Sequence, residues 1–391
     1  MAENCTRAFG RYLKTLRDRR GLSLHDVCSL SQTFPDPVNK GYLSRCENGH
    51  QKLAFSKLIP LSRIYEVPAN VLVERMELDM ELDRSGSPNT ATMSYAELTD
   101  AGKKALNQGF HLAGYAFLRD AVLCAPEDPA RPRFRDLQEQ VANSLMNVAT
   151  AARILGRFRF ALHEYLFLDS TSGFGPSFHS VLLERISGCY RRLGNLSLAE
   201  KYADDATAEA DATGDPTFLG YIYGNRARLA LERSDLKLAA SLYERAYRAF
   251  KKSGDRVECV QSLNNLSQCF FNMSRYRAAR RALETSERIS RLEQHYRCLA
   301  LSLILLGEIE DIENRPAQAS RHLKEAVAIS RQLNDRTLRF KAEFVLLQRA
   351  VKSNDGPVAR AICRRLQKLS PCISSDTDEL QAFRQISVAI D

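Results

Sequence analysis

Five residues within seven positions, Asn39, Lys40, Gly41, Ser44 and Arg45, bring an amide, two cations, a hydroxyl and a glycine into one short stretch. The stretch from Val38 to Gly49 reads as a helix, with Asn39 as its N-cap and Gly49 as its stop. Helical spacing puts Leu43 and Cys46 on a buried stripe and Gly41, Ser44, Arg45 and Asn48 on the opposite side. A small, polar, cationic helix face suits the DNA major groove. Serine and arginine reach base edges there, Lys40 at the rim reaches phosphate, and Gly41 lets the backbone approach. The alternative is an ordinary solvated surface helix.

A second set recurs along the chain. Asn147, Arg185, Asn225 and Asn265 each stand two positions before a small residue (Ala149, Ser187, Ala227, Ser267), and apolar Leu305 ends the series. Flanking columns add Asn143, Tyr221 and Gln261 on one side and Thr150, Arg228 and Gln268 on the other. A ladder of amides can pair with the backbone N–H and C=O groups of an extended peptide, and Arg185 and Arg228 can take a carboxylate. The same amides would also serve as hydrogen bonds between neighbouring helices, and the pattern leaves both readings open.

Enzymatic chemistry finds little footing. The sequence holds no phosphate-binding G-x-x-x-x-G-K-S/T, no G-x-S-x-G, no H-E-x-x-H and no paired Cys/His metal spacing. Its seven histidines are dispersed. No catalytic residue, metal or cofactor is expected.

The elements that must position these residues are helices. Ala199, Ala239, Ala279, Ala319 and Ala359 recur every forty residues, with Tyr243, Leu283 and Leu323 as a large column. Gly214-Asp215, Gly254-Asp255 and Asn334-Asp335 mark turns. Close packing of stacked helix pairs requires small residues facing large ones in this way. The columns predict seven helix pairs from about Met93 to Ser370. A final helix would use Leu380, Phe383 and Ile386 to cover the last pair. The pattern resembles tetratricopeptide repeats, lengthened from the usual period of about 34 residues.

The N-terminal part resembles a different family. Tyr42-Leu43-Ser44-Arg45-Cys46-Glu47-Asn48-Gly49 is similar to the recognition-helix ending of the lambda-repressor and Cro-like helix-turn-helix domains. Leu22-Ser23 with Asp26-Val27-Cys28 resembles their second helix, and Leu58, Leu61, Ile64, Val67-Pro68 and Leu72 their last two. The resemblance implies DNA contact by Asn39, Lys40, Gly41, Ser44 and Arg45. Three departures stand out: the turn Ser31 to Pro37 is longer, Leu24 replaces a common phosphate-binding Gln, and Pro60 falls inside the fourth helix pattern. Pro60 should kink that helix unless it begins as late as Ser56. Helix 1, about Arg7 to Arg20, is expected to bury Phe9, Leu13 and Leu16 and to show Arg11, Lys14 and Arg17 to solvent. Arg19, Arg20, Lys52 and Lys57 are further candidate phosphate contacts.

Charge agrees with this division. The chain carries +9, and residues 1–65 hold 11 Lys/Arg against 5 Asp/Glu, so +6 sits there and +3 on the remaining 326 residues. A basic head on a near-neutral body is the electrostatic pattern of a nucleic-acid binder with a separate sensing or assembly module. The longest apolar run, Leu299 to Leu306, is too short to span a bilayer, no signal-peptide core is seen, and ten cysteines are scattered without metal spacing. A cytoplasmic location and reduced core thiols are expected.

The expected fold is therefore all-α, a five-helix helix-turn-helix domain followed by an α-solenoid of tetratricopeptide-like helix pairs. Its parts are a head at 1–80, a linker at 81–93, repeats at 94–375 and a C-terminal capping helix at 376–391. The combination resembles the peptide-sensing transcriptional regulators of quorum-sensing systems. That resemblance implies a homodimer that binds double-stranded DNA through its heads and a peptide or protein through its repeats. The alternative is a protein-interaction scaffold whose N-terminal domain contacts a protein partner or binds DNA only incidentally.

Overall fold

The structure, a computed structural model, describes residues 2–86, 88–124, 139–171, 174–372 and 378–390. Among them are twenty α-helices, one 3-10 turn and no strand. The first two residues of the expected capping helix, 376 and 377, lie outside the described residues. The chain forms two compact units. One comprises 1–106 with 111–213, the other 107–110 with 214–391.

The first unit begins with α1 (Ala2–Arg19), α2 (Leu24–Ser31), α3 (Lys40–Glu47), α4 (Phe55–Ile64) and α5 (Ala69–Ser85). Local chemistry sets the ends of these short helices. Ser23 and Asp26 form a reciprocal capping box, Ser23 Oγ accepting from the Asp26 N–H at 3.2 Å and Asp26 Oδ2 accepting from the Ser23 N–H at 2.7 Å. Asn39 Oδ1 caps α3 through the Tyr42 N–H at 2.8 Å. Gly49 (φ +79°) closes α3 with the paired bonds His50 N to Arg45 O (2.8 Å) and Gly49 N to Cys46 O (3.1 Å). A Cβ there would also lie 2.5 Å from Arg7 Cα, so the glycine is demanded twice.

The long turn after α2 is held from within. The buried Ser31 Oγ accepts from the Val38 N–H at 2.9 Å, and Lys57 Nζ, on α4, donates to the Pro37 carbonyl at 2.7 Å. Leu24 is half-buried and packs on the core, which accounts for an apolar residue at a position where the family commonly carries a Gln. Helix α4 begins at Phe55 and keeps Pro60 inside it, so the Ser56 carbonyl, on an exposed residue, has no N–H four residues on.

Two expectations for α1 are corrected. Arg17 is buried, not solvent-facing: its Nε and Nη2 grip the Glu47 carboxylate at 2.8 and 3.0 Å, and Nη1 donates to the Leu22 carbonyl at 2.8 Å. The spacing of Arg17 fits an exposed stripe, but a buried carboxylate on α3 needs a partner and draws the guanidinium inward. Arg19 is not free for phosphate either. It meets Glu164 of a later helix and lies 3.8 Å from the Phe167 ring centroid.

The rest of the first unit is α6 (Tyr95–Gln108, its last two residues in the second unit), α7 (His111–Cys124), α8 (Glu139–Ile154), α9 (Phe158–Asp169), α10 (Pro176–Arg192) and α11 (Leu196–Thr213). Helix α5 binds the head to these pairs. Its Arg75 and Asp79 are paired at 2.5 Å, Arg119 of α7 reaches Asp79 at 3.1 Å, and Glu74 accepts from two first-turn N–H groups of α9, those of Arg159 and Phe160, at 2.9 Å each. Helix α5 continues to Ser85 with Leu82 buried, through the first part of the stretch expected to be a linker.

The second unit holds α12 (Pro216–Glu232), α13 (Leu236–Ser253), α14 (Arg256–Asn272), α15 (Tyr276–Leu292), α16 (Tyr296–Ile312), α17 (Pro316–Gln332), α18 (Arg336–Lys352), α19 (Gly356–Leu369) and α20 (Asp378–Ile390). Left-handed residues punctuate it every twenty positions: Gly214, Ser234, Gly254, Ser274, Gln294, Asn314, Asn334 and Asn354. Asp215, Asp235, Asp255, His295, Asp335 and Asp355 then cap six of the helices that follow. The small columns sit inside: Ala239, Ala279, Ala319 and Ala359 are buried, and a Cβ on Gly307 would lie 2.7 Å from Leu323 Cγ. Leu380 and Phe383 of α20 are buried on α18, Phe383 meeting the Phe340 ring edge-on at 5.6 Å.

Candidate nucleic-acid interface

Helix α3 is clamped from behind. Gly10 of α1 comes so close that a Cβ would lie 2.0 Å from the Cys46 carbonyl oxygen, and the Arg17–Glu47 pair joins the same two helices. Leu43, Cys46 and Glu47 are buried, while Asn39, Lys40, Gly41, Arg45 and Asn48 are exposed and Ser44 is half-buried. The expected face is thus presented as one surface. Three of its members are already engaged through their side chains: Asn39 by its capping bond, Asn48, whose Nδ2 donates to the Ser44 carbonyl at 2.8 Å, and Arg45 by Gln51, whose Oε1 accepts from Arg45 Nε at 2.9 Å. That contact leaves the two terminal nitrogens of Arg45, the ones that make a bidentate pair with guanine, without a described partner.

The flanking cations sort differently. Lys52 is exposed. Arg20 pairs with Glu66, and Lys57 with Asp36 as well as the Pro37 carbonyl. The Arg20–Glu66 pair sits at the surface and can exchange for phosphate at little cost, whereas the Lys57 side chain is largely covered and is held by the turn before α3. Arg19 cannot exchange, because its side chain is buried with Glu164. Burial pushes the Glu164 carboxyl up, but Arg19 and then His163 pull it well below the usual carboxylate range. Tyr12, buried beside it, donates to the same carboxylate at 3.1 Å and its own pKa is raised, by burial first and Glu164 second.

The residues of the amide series are spread over both units, and each is placed within its own. In the first, Asn147 on α8 and Arg185 on α10 are half-buried, Arg185 Nε lying 3.5 Å from Glu184. In the second, Asn225 on α12 is buried, and Tyr221 and Arg228 are half-buried, Tyr221 edge-on to Phe250 at 5.1 Å. On α14, Gln261 reaches Glu258 at 3.3 Å and Gln268 reaches Asn272 at 2.9 Å. Asn265 and Gln268 line a cavity of about 250 Å³ with Leu305, Phe344 and Glu308. Burial, then Glu379, pushes the Glu308 carboxyl up to about 7. Leu305, where the amide series stops, is a wall of this cavity. Glu308 continues the flanking column of Arg228 and Gln268 at the same forty-residue step, the signal that could have found it.

A structural amide lies one position away. Asn264 Nδ2 donates to the Cys298 carbonyl at 3.0 Å, and its Oδ1 accepts from Ser286 and Ser302 at 2.7 Å each, joining α14, α15 and α16. Among the described residues no group of His, Cys, Asp and Glu is placed to hold a metal ion, and no helix is long and apolar enough to cross a membrane.

The chain thus carries a lambda-repressor-like helix-turn-helix domain followed by tetratricopeptide-like helix pairs. Comparison agrees over part of the chain: a helix-turn-helix domain family matches residues 8–75, and a tetratricopeptide repeat family matches residues 218–292. No curated protein matches the sequence. Among solved structures, a Rap protein complexed with competence and sporulation factor is 13% identical with a TM-score of 0.52, covering 95% of this chain and 98% of that one. A signal transduction ATPase with numerous domains and a tetratricopeptide repeat sensor, from Pyrococcus horikoshii, is 12% identical with a TM-score of 0.55, covering 95% of this chain and 60% of that one. Bacillus thuringiensis PlcR in complex with the peptide PapR7 and DNA is 14% identical over 75% of this chain and 99% of its own, with a TM-score of 0.44.

Proposed function

We propose that the protein is a sequence-specific DNA-binding transcriptional regulator, with a head at 1–80, a connector at 81–93, repeats at 94–375 and a C-terminal helix at 376–391. The observation that carries this reading is the geometry of α3. A capped helix is fixed by a buried ion pair and a glycine contact, and it turns Lys40, Gly41, Arg45 and Asn48 outward together. Such rigidity without an outward task would be costly, since buried ion pairs add little net stability. In this reading Ser44 and Arg45 contact bases, Lys40 contacts phosphate, Asn39 holds the helix start, and Gly41 gives clearance.

The repeats take a peptide or protein effector, with Asn147 and Arg185 as candidate contacts in the first unit and Tyr221, Arg228, Gln261, Asn265 and Gln268 in the second; Asn225 is buried and would contact a ligand only once uncovered. What supports a ligand in the second unit is the mixed lining at Asn265 and Gln268, amides beside apolar walls. The protein acts as a cytoplasmic homodimer, because a single head with few phosphate contacts binds weakly at physiological salt.

Selection of binding sites from random duplex DNA by the full chain tests the first part. Enrichment of a defined sequence by wild type, lost in Arg45→Ala, is the expected result. Equal recovery of all sequences by both proteins would instead favour a scaffold that contacts DNA incidentally. Mass spectrometry of material co-purifying with the chain tests the effector, and sedimentation at micromolar concentration, free and on DNA, tests the dimer.

A further inference from the structure

We propose that the head has an effector site of its own: a cavity beneath α3 that binds a small carboxylate with an apolar body and acts on Arg45 through Gln51. The cavity, about 300 Å³, lies between α1, α5 and the segment that follows α3. Its walls are Phe9, Leu13, Leu53, Met76 and Met80. A space of this size and lining is ample for a small organic molecule. The two methionines make it adaptable, since an unbranched thioether repacks around different shapes with little strain.

The rim gives the ligand its charge. Lys52 and Arg84 stand there against Asp83, two cations to one anion, and neither cation has an ion-pair partner among the described residues. An apolar slot with an excess cation at its mouth is complementary to a carboxylate on a hydrocarbon or aryl body. The carboxylate remains at the wet rim, where it keeps part of its hydration, while the body lies against the apolar walls.

Occupancy would be felt by the DNA-reading face. Gln51 lines the same cavity and accepts from Arg45 Nε at 2.9 Å. Cys46, on the buried side of α3, is also part of the lining. A ligand that draws Gln51 toward its carboxylate, or displaces it, frees Arg45 to change rotamer. The site is separate from the repeats, so it stands whether or not they bind a peptide.

Octanoate is the probe, titrated into the full chain with 1-octanol as its uncharged counterpart. Calorimetry is read alongside the methyl resonances of 13C-methyl methionine. One bound octanoate, shifts at Met76 and Met80, and about fourfold tighter binding for each added methylene until the cavity is full are the expected results. Met80 is 41% exposed, so Met80→Trp can plug the mouth without opening the core; it should weaken octanoate more than tenfold. Lys52→Gln with Arg84→Gln should weaken octanoate about tenfold and leave octanol unchanged. The Arg45 Nε–H resonance should move with octanoate. No methyl shift at millimolar octanoate, or unchanged affinity in the double charge variant, overturns the site. A stationary Arg45 resonance on a bound protein overturns the coupling. Should Met80→Trp melt lower than wild type, the charge variant decides alone.

Discussion

Arg19 Nη2 lies 2.6 Å from Glu164 Oε2, although the two residues are 145 positions apart, and the contact joins the last turn of α1 to α9. The same carboxylate accepts from Tyr12, and the Arg75 guanidinium sits within 5.4 to 5.7 Å of the Tyr12, Tyr115 and Phe160 ring centroids. The head is therefore packed onto the first helix pairs by buried charge and aromatic rings.

For DNA reading, Arg45→Ala and Ser44→Ala are expected to relax sequence preference and to cost about 1–3 kcal/mol each where the contact is to a base. Lys40→Ala should weaken all sequences alike. Competition binding against scrambled duplexes measures both, and a wild-type preference in Arg45→Ala would remove α3 from the groove.

Glu47→Ala should destabilise the protein by about 3 kcal/mol, because it leaves the buried Arg17 guanidinium with only the more exposed Asp18 carboxylate, 3.0 Å away, and the Leu22 carbonyl. Arg17→Met with Glu47→Leu should recover most of that loss. Urea unfolding reads the difference. A single variant as stable as wild type would mean that the pair is not buried in solution.

A buried role for Arg19 separates two readouts. Arg19→Ala should lower the melting temperature yet leave the salt dependence of DNA binding unchanged, whereas loss of a phosphate contact would reduce the log–log slope by about 0.9. Affinity measured at several salt concentrations decides between them.

His179 stands between two carboxylates, Nδ1 at 2.6 Å from Glu209 and Nε2 at 3.0 Å from Asp169, linking α9, α10 and α11. Burial lowers its pKa, but the bonds to Asp169 and Glu209 outweigh that and raise it above 6.5. The folded protein then holds the proton more tightly than the unfolded chain does. The stabilisation is full below about pH 6.5 and is lost as pH rises through the folded pKa. Denaturant midpoints from pH 6 upward should fall more in wild type than in His179→Gln, and parallel curves would show that the imidazole is not charged.

Much of the architecture was legible locally. Ser23, Asn39 and Gly49 bound their helices because a cap needs only its own turn, and the alanine columns named the buried seams because close helix packing favours small residues where Ala239 and Ala279 are buried. The left-handed positions at Ser234, Ser274, Asn314 and Asn354 escaped notice, since serine and asparagine mark such turns less plainly than glycine. The fate of the arginines was decided only by tertiary structure. On the helix alone Arg17 and Arg19 are two cations near an exposed stripe. Whether each faces phosphate or a buried carboxylate depends on Glu47 and Glu164, brought there by packing across 30 and 145 residues. Periodicity likewise placed Asn225 and Asn265 in one column but not at one depth. The first is buried and the second lines a cavity, because depth is set by the neighbouring helices and not by the helix that carries the residue.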